Sequence, residues 1–75
     1  MRKIKRSDLT IGSVLHYQDP RNEGFAGIVA GSFVGFNSGR TLYNIRQRQP
    51  SGTCLSSVEY SLPAINRIFK LPETQ

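Results

Sequence analysis

Tryptophan is absent from this chain, histidine and cysteine occur once each (His16, Cys54), and only five residues are acidic. Each shortage removes a class of chemistry. One cysteine cannot close an internal disulfide, which argues against a stapled secreted scaffold and for a reducing, cytoplasmic setting. One histidine and one cysteine do not make a zinc centre, so neither a metal nor a cofactor is expected. The acids are not paired at short spacing, and His16 has no evident nucleophile beside it, so no catalytic residue stands out. His16 reads as a strand histidine bonded to backbone or water, and Cys54 as a small buried hydrophobe. No run of roughly 18 apolar residues exists to cross a membrane. The opening "MRKIKRSDL" is basic but lacks the apolar stretch of a secretory signal. Also missing is any window of eleven residues with a helical 3.6 period.

Positive charge is what the chain does have. Its 75 residues carry a net charge of +5, and the excess is unevenly placed. Residues 1–8 hold Arg2, Lys3, Lys5 and Arg6 against Asp8. Residues 40–48 hold Arg40, Arg46 and Arg48 and no acid, while the remainder is slightly acidic. A localised basic excess points to an anionic partner. The length suits one small domain that buries about 60–65% of its unfolded surface, so an oligomer interface would help stability. Residues 1–8 are expected to form a flexible basic arm, 9–70 the folded domain and 71–75 a flexible tail.

β-branched and aromatic residues between turn formers predict five short strands. The first covers about residues 13–18, with Leu9, Ile11 and Val14 as candidate core residues around Gly12. A polar loop, "DPRNEG", follows. The second strand, "FAGIVAGSFVGF" (25–36), leads through "NSG" into the third, "RTLYNIRQRQ" (40–49). There Tyr43 and Ile45 should face the core, leaving Arg46 and Arg48 side by side on the outer face. "PSG" turns into a fourth strand (53–60). "SLPAI" (61–65) predicts a single 3₁₀ turn, and "NRIFK" (66–70) a short last strand. Phe25, Phe33, Tyr43 and Tyr60 are assigned to the core. Phe36, beside the hairpin turn, is assigned to the surface.

The glycines of residues 24–39 invite comparison with a phosphate-cradling loop. They do not precede a helix, and no lysine followed by serine or threonine closes the run. The strand–loop–helix context of a dinucleotide site is also missing. They read instead as bends, bulges or close backbone approaches within a strand.

Five short strands, a long first loop, two tight hairpins and a 3₁₀ turn before the last strand resemble, in that order, an SH3-like barrel over about residues 9–70. "IGSVLHYQD" followed by "GFAGIVAG" is similar to the opening of KOW-type modules. "SSVEYSLPAINRI" (56–68) is loosely similar, at Val58 and Tyr60, to the pore-lining segment of the plasmid-encoded type II dihydrofolate reductases. The glutamine and isoleucine with which that family holds folate and nicotinamide have no counterpart here, so an oligomeric reductase-like enzyme is only a remote third expectation.

The resemblance implies an all-β, five-stranded small barrel, and the want of a catalytic constellation a non-enzymatic one. Small barrels bind nucleic acid through a basic groove with exposed aromatics. The first expectation is therefore a nucleic-acid accessory protein using Arg2, Lys3, Lys5, Arg6, Phe36, Arg40, Arg46 and Arg48. The second is a protein-interaction module regulating a larger complex, with self-association through an exposed edge strand as a related possibility. A proline-peptide groove fits poorly, because "DPRNEG" has only two acids and the chain has no tryptophan.

Overall fold

The computed structural model describes residues 2–72. Five strands form one antiparallel sheet: β1 (Val14–Tyr17), β2 (Ala26–Val34), β3 (Thr41–Arg48), β4 (Cys54–Ser61) and β5 (Phe69–Lys70). Their order across the sheet is β4-β3-β2-β1-β5, so β4 and β5 are its edge strands. A short helix, α1 (Leu62–Ile68), packs against β3, β4 and β5. One 3₁₀ turn, Arg6–Asp8, precedes β1, and another, Pro20–Asn22, lies between β1 and β2. The all-β expectation holds.

Period-2 alternation built β3 as expected. Tyr43 and Ile45 are buried, whereas Arg46 and Arg48 are exposed. The inner face continues through Leu15 on β1, Val29 on β2 and Phe69 on β5. Ile65 of α1 and Ile4 and Leu9 of the N-terminal segment close the same core. Phe69 is its aromatic centre, with Tyr17 at 4.7 Å and Tyr60 edge-on at 5.5 Å. Such pairs add about 0.5–1.5 kcal/mol beyond the area they bury.

Several expectations need correction. Residues 62–68 are an α-helix rather than part of a 3₁₀ turn and a strand. Ser61 caps it, accepting from the Ala64 N–H, and Pro63 occupies the first turn. Proline fits there because that N–H has no intrahelical partner. Leu62, Ile65 and Phe69 then fall on the core side, at three- and four-residue spacing.

Phe33, expected inside, is 37% exposed. A bulge between Val29 and Gly31 is the cause. One extra residue, Ala30, reverses the alternation, so Ser32 lies opposite the buried Tyr43 and Phe33 falls opposite Leu42 on the outer face. Ile11 is also outside, 78% exposed. It sits in the turn that Gly12, with φ of 91°, allows, not in the strand. Phe25, Tyr60 and Cys54 are half-buried rather than fully enclosed.

The segment expected to be a free basic arm is pinned. Ile4 is a fully buried core residue. Its N–H donates to Asn66 Oδ1 (2.8 Å) and its carbonyl accepts from Asn66 Nδ2 (3.0 Å). The arm therefore docks on α1 as a short packed strap. Of the tail expected over residues 71–75, Leu71 packs against the core, and residues 73–75 lie outside the described part.

Candidate nucleic-acid interface

The strand registers decide which cations meet. On the outer face Arg46 lies opposite Ile28 of β2 and Ser57 of β4, and Ile28 opposite Val14 of β1. One row further along, Arg48 lies opposite Ala26 and Cys54, Ala26 opposite His16, and His16 opposite Lys70. Neighbouring rows on one face are about 7 Å apart along a strand, and adjacent strands about 5 Å apart. Arg46, Arg48, His16 and Lys70 therefore share one patch spread over three of the five strands. Only β3 of these was foreseen as a cationic strand. His16 and Lys70 join it through long-range pairings that local sequence does not announce.

Arg46 donates from Nε to the Leu55 carbonyl (3.1 Å), which holds its guanidinium against an irregularity in the edge strand β4. Among the described residues Arg46, Arg48 and Lys70 form no salt bridge. Glu59, beside Asn44, is the one acid that the β4 pairing places on the same face. The patch is therefore net positive, which is what attracts a polyanion from a distance.

The remaining expected site residues are elsewhere. Arg40 and Phe36 sit in the β2–β3 connection, at the far end of β3 from Arg48. Phe36 is fully exposed there, and Val34 is largely so. Arg6 reaches the same end, donating to Thr41 Oγ1 at 3.5 Å. Arg2 pairs with Asp8 at 3.5 Å, and Lys3 and Lys5 are exposed on the docked strap. The expected site residues thus divide into a sheet patch (Arg46, Arg48) and a hairpin-end group (Arg6, Phe36, Arg40), with Arg2, Lys3 and Lys5 belonging to the strap.

Beside the sheet patch, the loop between β1 and β2 rises to form a cleft of about 530 Å³. It is lined by His16, Tyr17, Ala26, Arg48 and Lys70 of the sheet and by residues 18–20 and 22–25 of the loop. Asp19 caps the 3₁₀ turn by accepting from the Arg21 N–H (3.0 Å) and pairs with the Arg21 guanidinium (2.9 Å). Those bonds, the side-chain ones foremost, hold the Asp19 carboxyl below the usual range and the Arg21 guanidinium above its own. Gly24 reverses the chain at φ of 92°, where a Cβ would also stand 3.2 Å from Pro50. The loop is thereby seated on the β3–β4 turn. Beneath it, burial pushes the Tyr17 phenol upward, opposed by a hydrogen bond from Gln47 Nε2 (3.2 Å).

No group of three or more potential metal ligands occurs among the described residues. No helix among them is long and apolar enough to cross a membrane. No protein-family model, curated protein or solved structure matches this chain.

Proposed function

We propose that this protein is a small SH3-like β-barrel module that binds nucleic acid through the phosphate backbone, as an accessory component rather than a catalyst. One observation carries the reading. Arg46 and Arg48 of β3, His16 of β1 and Lys70 of β5 are brought onto one face of the sheet, with no carboxylate paired to the arginines or the lysine among the described residues. Cations without acidic partners are free to replace counterions on phosphates, a contact that positions a chain without reading its sequence. The strand order and the short helix leading into β5 support the SH3-like description. The single half-buried thiol of Cys54 fits a reducing, cytoplasmic compartment.

Fluorescence anisotropy with a labelled single strand and a labelled duplex tests the proposal. Binding of at least one at about 50 mM salt, weakening steeply towards 200 mM, is expected. Absence of binding to both at low salt rules it out.

A protein-interaction role is the second reading, favoured by the edge strand β4. Leu55 and Val58 are 43% and 53% exposed there, and no lysine or proline interrupts the strand. Unprotected edges of this kind accept a further strand, from another protein or a second copy. Sedimentation of the isolated protein, with a Val58→Lys variant beside it, separates self-pairing from a monomeric state.

A further inference from the structure

The cleft between the β1–β2 loop and the sheet patch has the features of a ligand site, and phosphate-backbone binding alone does not account for them. Its volume, about 530 Å³, lies within the range of small-molecule sites. Ala26 separates Arg48 from His16 along the floor, and its short side chain leaves the depression between them. Lys70 extends the cationic row on the far side of His16. The half-buried ring of Phe25 belongs to the lining, offering an apolar surface beside the charges.

The charge balance of the lining favours an anion. Asp19 is already engaged by Arg21, which leaves Glu23 as the lining's other acid against Arg48 and Lys70. An aromatic ring together with two cations in a concave site is the combination that accepts a base together with its phosphate. A duplex keeps its bases stacked inside, whereas a single strand can turn one outward.

We propose that this cleft seats one nucleotide of a single strand, its phosphate held by Arg48 and Lys70 beside His16 and its base placed towards Phe25. The proposal rests on the phosphate-binding reading above and adds a preference for unpaired strands. Thymidine monophosphate, inorganic phosphate, an eight-residue oligothymidylate and a twelve-base-pair duplex are the probes. They are titrated into the intact protein and followed by amide chemical shifts.

The monophosphate and the oligonucleotide should shift His16, Ala26 and Lys70. The oligonucleotide should bind more tightly than the duplex, and inorganic phosphate more weakly than the monophosphate. Lys70→Ala should weaken the oligonucleotide roughly five- to tenfold, as expected for a lost charge-assisted contact. Glu23→Gln should tighten it about two- to threefold by removing the opposing charge. That gain cannot come from a misfolded variant.

Strand and duplex binding of equal strength, with the cleft resonances unmoved, overturns the cleft assignment while leaving phosphate-backbone binding intact. Monophosphate binding in the cleft with no binding of any strand overturns both the strand as ligand and the wider nucleic-acid reading. Inorganic phosphate matching the monophosphate in affinity overturns the role given to Phe25.

Discussion

Gly27 and Gly31 lie four residues apart in the same strand, and alanine should have opposite effects at the two positions. A Cβ built at Gly27 would stand 2.7 Å from Phe69 Cε1 and 2.9 Å from Ile45 Cγ2. Both neighbours are fully buried core side chains, so neither can swing into solvent. Overpacking of this kind costs about 1–3 kcal/mol. The reduced freedom of the unfolded chain returns about 0.4–1 kcal/mol. The net loss for Gly27→Ala is therefore roughly 1–2 kcal/mol, out of a total near 4–11 kcal/mol for a chain of this length. At about 4–8 °C per kcal/mol, Tm should fall by roughly 5–15 °C. Gly31 has no heavy atom within 4 Å of the same construction, and its φ lies outside the left-handed region. Gly31→Ala should raise Tm by a few degrees through the unfolded-state term alone. Circular dichroism melts of the two variants beside wild type are sufficient. A Gly27→Ala protein melting at or above wild type would refute the close approach of β2 to Phe69. A Gly31→Ala protein falling as far as Gly27→Ala would refute the open outer face.

Ile4→Ala removes a fully buried side chain and should cost about 2–4 kcal/mol; an unchanged melt would mean that residues 2–8 are a free arm after all. Phe36→Ser, at a fully exposed position, should leave stability within about 0.5 kcal/mol, as read from a urea titration. Asp19 has a folded pKa lowered by Arg21, so its contribution to stability is present above the ordinary carboxylate pKa and is lost as pH falls through the lowered value. A carboxyl-carbon NMR titration should find the Asp19 midpoint below 3.8, and Arg21→Ala should move it upward; a midpoint unmoved by that change would remove the pair.

Strand β3 was legible because alternation is a local signal, and "TLYNIRQR" carries it without interruption. Phe33 was not, because a single bulge at Ala30 reverses every side chain beyond it, and the sequence has no marker for that bulge except neighbouring glycines. The helix at residues 62–68 could have been read. Ser61 followed by Pro63 is a helix start, and Leu62, Ile65 and Phe69 follow a helical spacing. Pro63 stands in the first turn, where it does not break a helix as it would farther in. Ile4 was hidden by its company, one apolar residue among four cations, and only the Asn66 contacts reveal its place. Of the interface, Arg46 and Arg48 followed from β3 alone. His16 and Lys70 required the β1–β2 and β1–β5 registers, which join residues far apart in the chain.

The central claim is that the exposed face of β3 neutralises phosphates. The dependence of single-strand affinity on salt, compared between wild type and the Arg46→Ala, Arg48→Ala double variant, tests it most directly. Each lost phosphate contact reduces the slope of log affinity against log salt by about 0.7 on a single strand. The double variant should thus bind more weakly, with a slope shallower by about 1.4 and a nearly unchanged Tm. Identical slopes in the two proteins would contradict the account.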